Sequence, residues 1–173
     1  MFEIVVACNE NMVIGKDNTI PWDVKEDLTM FQKLTKDHII IMGRKTYESL
    51  PIKPLKNRYN IVLTKNPGKY QSNNENIVFT TQENLSNIIE NQKKKWGERV
   101  FIIGGSDIYR YFLDKCCKLH ITIVHKEVDG DTYFPYSLQD ITRTYGFELS
   151  RCGNIALSKT DNVMFQFRTY TKI

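Results

Sequence analysis

Asp27 places a carboxylate where an amphipathic helix asks for an apolar side chain. Val24, Leu28, Phe31 and Leu34 recur at the spacing of one helical face, and Asp27 falls on that stripe. A carboxylate buried without a partner is costly, so it holds a cation or takes up a proton. Asp27 is therefore a candidate acid, or an anchor for a cationic ring. A helix rotated the other way would turn it to water beside Glu26.

Two glycine junctions could hold phosphate. Met42-Gly43-Arg44-Lys45-Thr46 leads from a buried strand into a short segment at Tyr47–Leu50, and Ile103-Gly104-Gly105-Ser106 leads from a strand into a helix. Free N–H groups at a helix start attract anions, and glycine lets the backbone approach closely. Arg44 and Lys45 add charge, and Thr46 a hydroxyl. Glycine also simply closes many βα turns, but two such junctions in one chain suit a dinucleotide. Neither is the GxGxxG fingerprint of a Rossmann site.

Further candidates lie in loops. Gly15–Thr19 is polar, as befits a loop over a ligand, and Ile20-Pro21-Trp22 leads from it into the Asp27 helix. Pro51–Arg58 carries Lys53, Lys56 and Arg58 and is able to hold a carboxylate. Solvated surface loops are the plain alternative for both.

Composition narrows the classes. The 173 residues suit one domain, spanning 1–173, and 41% hydrophobic with 25% charged residues is ordinary for a globular protein. No apolar run reaches membrane-span length, and no signal peptide is expected. A net charge of +4 suits anionic small ligands rather than nucleic acid. Cys8, Cys116, Cys117 and Cys152 show neither zinc spacing nor a disulfide framework, so reduced thiols and a cytoplasmic location are expected. His120 and His125 face opposite sides of a strand and make no metal site.

The positioning elements read as α/β. Short apolar runs at Phe2–Cys8, His38–Met42, Tyr59–Thr64, Asn76–Thr80, Arg99–Ile103 and Lys118–Val124 predict strands covered on both faces. Helices are expected over 24–35, over 82–95 with a capping box from Thr80 and Glu83, and after Gly105 with Ile108, Phe112 and Leu113. Lys93–Lys95 solvates a helix end. Val163 to Tyr170 alternates like a half-covered antiparallel strand at the sheet edge, after a turn at Ser158–Asn162. The sheet is thus mixed, with a parallel centre.

Taken in order, Val13-Ile14-Gly15, Ile20-Pro21-Trp22, Asp27-Leu28 with Phe31, Met42 to Ser49, Leu55, Arg58, Ile103-Gly104-Gly105, Tyr109, Thr122 and Gly130 to Pro135 resemble the dihydrofolate reductase family over essentially the whole chain. The resemblance implies a central eight-stranded, mostly parallel sheet with an antiparallel C-terminal strand and about four flanking helices. It implies NADPH-dependent reduction of dihydrofolate to tetrahydrofolate, with methotrexate-like antifolates as further ligands, in a monomer. Asp27, Trp22 and Thr122 would be the catalytic set, with Thr122 bonded to Asp27. Val5, Ala7, Leu28, Phe31, Leu50, Leu55, Ile103 and Tyr109 would line the substrate pocket, and Arg58, with Lys53 nearby, would hold the glutamate tail. The cofactor would meet Ala7, Ile14, Gly15, Asn18, Thr19, Ile20, Gly43, Arg44, Lys45, Thr46, Leu63 and Ile103. Gly104, Gly105, Ser106, Asp107, Ile108 and Tyr109 would complete that surface. Arg44, Thr64 and Lys65 would favour the 2′-phosphate.

Four positions depart from the family pattern. Asn57 stands where glycine is usual, a place asparagine tolerates. Met30 replaces an aromatic residue and could loosen packing behind Asp27, while Cys8 and Asn9 have no evident role. Two rival readings remain: a reductase of the same fold acting on a pyrimidine ribosyl substrate, and a non-catalytic nucleotide- or RNA-binding protein.

Overall fold

A computed structural model describes all 173 residues. The chain runs β1 (Phe2–Asn9), β2 (Val13–Gly15), α1 (Lys25–Thr35), β3 (Ile39–Gly43), α2 (Arg44–Ser49), β4 (Tyr59–Leu63) and β5 (Ile77–Thr80). It continues with α3 (Leu85–Trp96), β6 (Val100–Ile102), α4 (Ser106–Phe112), β7 (Cys116–His125) and β8 (Thr132–Tyr133). The last elements are α5 (Leu138–Arg143), β9 (Phe147–Cys152), β10 (Ala156–Leu157) and β11 (Met164–Lys172).

Eight strands form one path, β10-β11-β7-β1-β6-β3-β4-β5, and β9 also pairs with β11. The pairs among β7, β1, β6, β3, β4 and β5 are parallel, whereas β11 runs antiparallel to β7, β9 and β10. The continuous apolar runs have their expected consequence. Ile39 to Met42, Ile61, Val62 and Val100 to Ile102 are fully buried because helices cover both faces of the central strands.

Four expectations are corrected. There are five α-helices rather than about four, since the short α5 is held by a capping box of Ser137 and Asp140. The box expected at Thr80 and Glu83 is absent: Gln82–Asn84 forms a 3-10 turn, and α3 begins at Leu85 without a side-chain cap. β11 is not the edge, because β9 and β10 pair along its outer side, and Gln166 and Tyr170 are buried alongside Phe165, with Tyr170 in the core cluster of Ile141 and Phe147, so the half-covered alternation is lost. Met30 points outward and is exposed, so it does not pack behind Asp27.

The end of the sheet remote from Asp27 is pinned by a buried ion cluster. Glu3 accepts two hydrogen bonds from Arg99, at 2.8 and 2.9 Å, and meets His120 Nε2 at 2.6 Å. Burial pushes the Glu3 pKa up, but His120 and Arg99 overcome it and hold the carboxyl at about 2. A depressed carboxyl pKa stabilises the fold above the unfolded value of 4.5, and that contribution disappears as pH falls from there toward about 2. Glu3→Gln is expected to cost about 1–3 kcal/mol at pH 7, because the half-exposed Arg99 keeps part of its hydration. Urea denaturation at pH 7 and pH 3 checks this, with a smaller difference between variant and parent at the lower pH.

Candidate active site

The groove around Asp27 begins with α1. The helix has no side-chain cap at Val24; its entry is fixed by the β10–β11 turn. Glu26 accepts from Ser158 Oγ at 2.9 Å and from Lys159 N at 3.0 Å, while Asp161 accepts from Asp23 N at 3.2 Å. Trp22 and Val24 pack against Val124 and Phe165 beneath this turn. Trp22 is thus a buried anchor at the base of the loop before the helix.

Only Thr35 of α1 is buried, and Leu28 on the apolar stripe is 50% exposed. The stripe faces an open groove instead of the core. Its floor and far wall are Val5, Leu50, Leu55 and Ile103, partly buried around Ile40, Met42 and Phe101. Ala7 lies at the Trp22 end. Tyr109 is buried and donates from its hydroxyl to Val5 O at 2.9 Å, and desolvation raises its pKa far above the phenolic value.

Two charges in this groove lack counterions. Thr122 Oγ1 donates to Asp27 Oδ1 at 2.6 Å, and no Lys, Arg or His pairs with Asp27. Burial raises the Asp27 pKa above the ordinary carboxylate value, and the Thr122 bond only partly opposes it. Arg58 is 8% exposed and forms no salt bridge. Its Nε donates to Lys56 O at 2.8 Å, its Nη1 to Thr35 Oγ1 at 3.2 Å, and it lies 5.8 Å from the Phe31 ring centroid. Burial lowers its pKa. Lys53 turns away: its Nζ donates to Glu48 O at 2.8 Å and caps the Tyr47 ring.

The two glycine junctions meet. Gly43 N donates to Gly104 O at 2.8 Å, which brings the starts of α2 and α4 side by side. Neither helix has a side-chain cap, so their first N–H groups remain available. Gly104 has φ +124°, and a Cβ there would lie 3.2 Å from Tyr109 Oη, so only glycine fits. Beside α2, Asn18, Arg44, Lys45, Glu48 and Ser49 line a polar cavity of about 350 Å³. Arg44 is already paired with Glu48 at 2.8 Å, whereas Lys65 has no acidic partner. Ser106 donates its hydroxyl to Tyr133 O, and Asp107 pairs with Arg110. Leu63 is buried, Thr64 accepts from Asn66 N, and Thr46 lies beside Gly105. Ile108 packs against Gly43.

The loop containing Gly15, Asn18, Thr19 and Ile20 is tied down by the segment before β8. Ile14 packs against the core at the loop's start. Asp131 accepts from Asp17 N at 2.8 Å and donates its own N–H to Gly15 O at 3.1 Å. A Cβ on Gly130 would lie 2.2 Å from Val13 Cγ1, so this approach also requires glycine. Asn9, without a role in the sequence, bonds Asn11 N, Val13 N and Lys126 O and shapes the turn that starts the loop. Asn57 adopts φ +58°, as expected for a residue standing in for glycine.

Sequence reading missed Thr35, Asn60 and Asp131. Asn60 is fully buried in β4; its side chain accepts from Leu55 N and donates to Leu55 O, Arg58 O and Asn76 O, which sets the loop carrying Arg58. The available signal was one amide inside an apolar strand. Asp131 stood inside the Gly130 to Pro135 motif, but its role did not show there, because its partners Asp17 N and Gly15 O are backbone atoms remote in sequence.

Comparison with known proteins agrees with this geometry. The family model described as dihydrofolate reductase matches residues 1–172. Dihydrofolate reductase of Buchnera aphidicola subsp. Baizongia pistaciae is 42% identical over 132 residues, covering 76% of each chain. That of Bacillus subtilis is 38% identical over 78% of this chain and 76% of its own. Dihydrofolate reductase from Enterococcus faecalis, solved with NADP(H) and RAB-propyl, superposes with a TM-score of 0.82 at 29% identity. It covers 99% of this chain and 95% of its own. The chain belongs to the dihydrofolate reductase family, whose members are NADPH-dependent oxidoreductases.

Proposed function

We propose that residues 1–173 act as one monomeric reductase domain in which Asp27 orients and helps protonate the pterin of dihydrofolate while Arg58 holds its glutamate tail. The observation that carries this reading is the pair of uncompensated charges on one groove, a half-buried Asp27 and a buried Arg58. Asp27 and Thr35, the residue bonded to Arg58, are eight residues apart on α1. At the helical rise they are separated by about 12 Å along the axis. The complementary ligand is a rod of that length, with an amidine-like donor edge at one end, an aromatic middle beside Phe31 and a carboxylate at the other. A folate has that shape. A pyrimidine ribosyl substrate lacks an acid to meet Arg58, and an RNA would leave the sunken Asp27 facing like charge.

The residues present fit the cofactor. Uncapped helix starts, two glycines that allow close approach and the cationic side chains of Arg44, Lys45 and Lys65 suit a dinucleotide with an extra phosphate. Bound NADPH supplies the hydride. The chain does the rest: Thr122 fixes Oδ1 of Asp27 and leaves the other carboxyl oxygen toward the groove, and the apolar walls exclude water. The loop held by Asp131 closes the cofactor end. The first experiment follows loss of the NADPH absorbance band on adding dihydrofolate, with and without methotrexate. A chain that consumes no NADPH under these conditions would overturn the reading.

Asp27→Asn should slow hydride transfer by roughly 10²–10⁴-fold with NADPH binding nearly intact, checked by single-turnover kinetics. In the parent enzyme the rate should fall as pH rises through the raised Asp27 pKa, because the acid form is lost. The same sign applies to stability: a raised folded pKa favours the fold at low pH and disfavours it above. The asparagine variant should therefore denature at a higher temperature than the parent at pH 7. For cofactor choice, Lys65→Ala should reduce preference for NADPH over NADH roughly tenfold. Arg44→Ala should matter less, since Glu48 already neutralises Arg44; steady-state kinetics with both cofactors decides.

A further inference from the structure

Thr35 closes α1 at a point where no substrate atom need touch it, yet it is fully buried and both sides of its hydroxyl are committed. Its Oγ1 donates to Phe31 O at 2.8 Å, so toward Arg58 the oxygen is only an acceptor. Arg58 Nη1 donates to it at 3.2 Å, and Nε is taken by Lys56 O at 2.8 Å. A guanidinium carries one N–H on Nε and a pair on each Nη. These two bonds therefore consume the Nε side and the near Nη1 hydrogen. Three N–H hydrogens remain, one on Nη1 and two on Nη2, enough for a carboxylate to be met by two of them. Asn60 holds the backbone of the same loop through Leu55 and Arg58 O, so the guanidinium is aimed from the side-chain end by Thr35 and from the main-chain end by Asn60.

We propose that Thr35 is a positioning residue for the acidic end of the substrate: its hydroxyl oxygen holds Arg58 so that the remaining N–H groups meet one carboxylate from a preorganised position. The inference rests on the reading of Arg58 as the tail-binding residue. It assigns to Thr35 a binding effect that passes through Arg58 alone. The pterin end of the groove, from Asp27 to Phe31, should not register its loss.

The test uses the full chain with NADPH and two substrates, dihydrofolate and a 7,8-dihydropterin that ends in a methyl group. Thr35→Val removes the acceptor at nearly constant volume, Thr35→Ala removes it with less bulk, and Thr35→Ser restores it. For the valine and alanine variants the expected result is a KM for dihydrofolate raised roughly tenfold, with kcat changed by less than about twofold. Their kcat/KM for the tail-less pterin should equal that of the parent, and serine should return KM for dihydrofolate to near the parent value. Equal losses on both substrates, an unchanged KM, or a serine variant as impaired as valine would overturn the proposal. Arg58→Leu separates the two levels. If it leaves KM for dihydrofolate unchanged, the tail reading itself fails; if it raises KM while the Thr35 variants are silent, only the positioning role fails.

Discussion

Desolvation of two opposite charges is the constraint on which the rest of the site depends. Asp27 and Arg58 both lie in the groove of α1, and neither finds a counterion in the chain. Partnering them with each other would neutralise both, but α1 keeps them two helical turns apart with Phe31 between. The fold therefore carries an electrostatic deficit at this groove, which under the proposed function a ligand of matching length and polarity relieves. Stability given up at such positions becomes binding energy and a carboxyl tuned away from its solution pKa.

The scaffold tolerates this because its other buried charges are answered internally. Glu3 is matched by Arg99 and His120 at the opposite end of β1, and the part-exposed Glu26 and Asp161 are also met, Glu26 by Ser158 Oγ and Lys159 N and Asp161 by Asp23 N and Lys126. The contrast identifies the groove more sharply than its shape does. The same strand, β1, carries both kinds of end: Glu3 is fully paired, whereas Val5 and Ala7 face the open site. Loops then finish the enclosure, with Asp131 drawing the Gly15 segment inward and Asn60 shaping the approach to Arg58.

Much of this was legible in order along the chain. Apolar runs marked the central strands because both faces of a parallel sheet are covered, and the misfit of Asp27 in a helical stripe pointed to the groove that α1 lines. The glycine junctions were visible, although nothing local showed that Gly43 and Gly104 would touch. The C-terminal strand was misread as a sheet edge: alternation in Val163 to Tyr170 describes the strand itself, while its outer neighbours come from residues 147–157. The capping box was misplaced for a similar reason. Thr80 and Glu83 have the right types, but the chain turns as a 3-10 segment before α3 begins.

What the sequence by itself determined is the set of chemical groups and the periodicities that place them on helices and strands. Those follow from bonds and contacts within a few residues, where spacing alone specifies geometry. Only the tertiary structure decided that Asp27 has Thr122 but no cation, that Arg58 has Thr35 and Lys56 O but no acid, and that Arg44 is spent on Glu48. Whether a charge is compensated depends on every neighbour within a few ångströms, most of them remote in sequence. The sequence named Asp27 as out of place; the fold gives it the Thr122 hydroxyl and no cation.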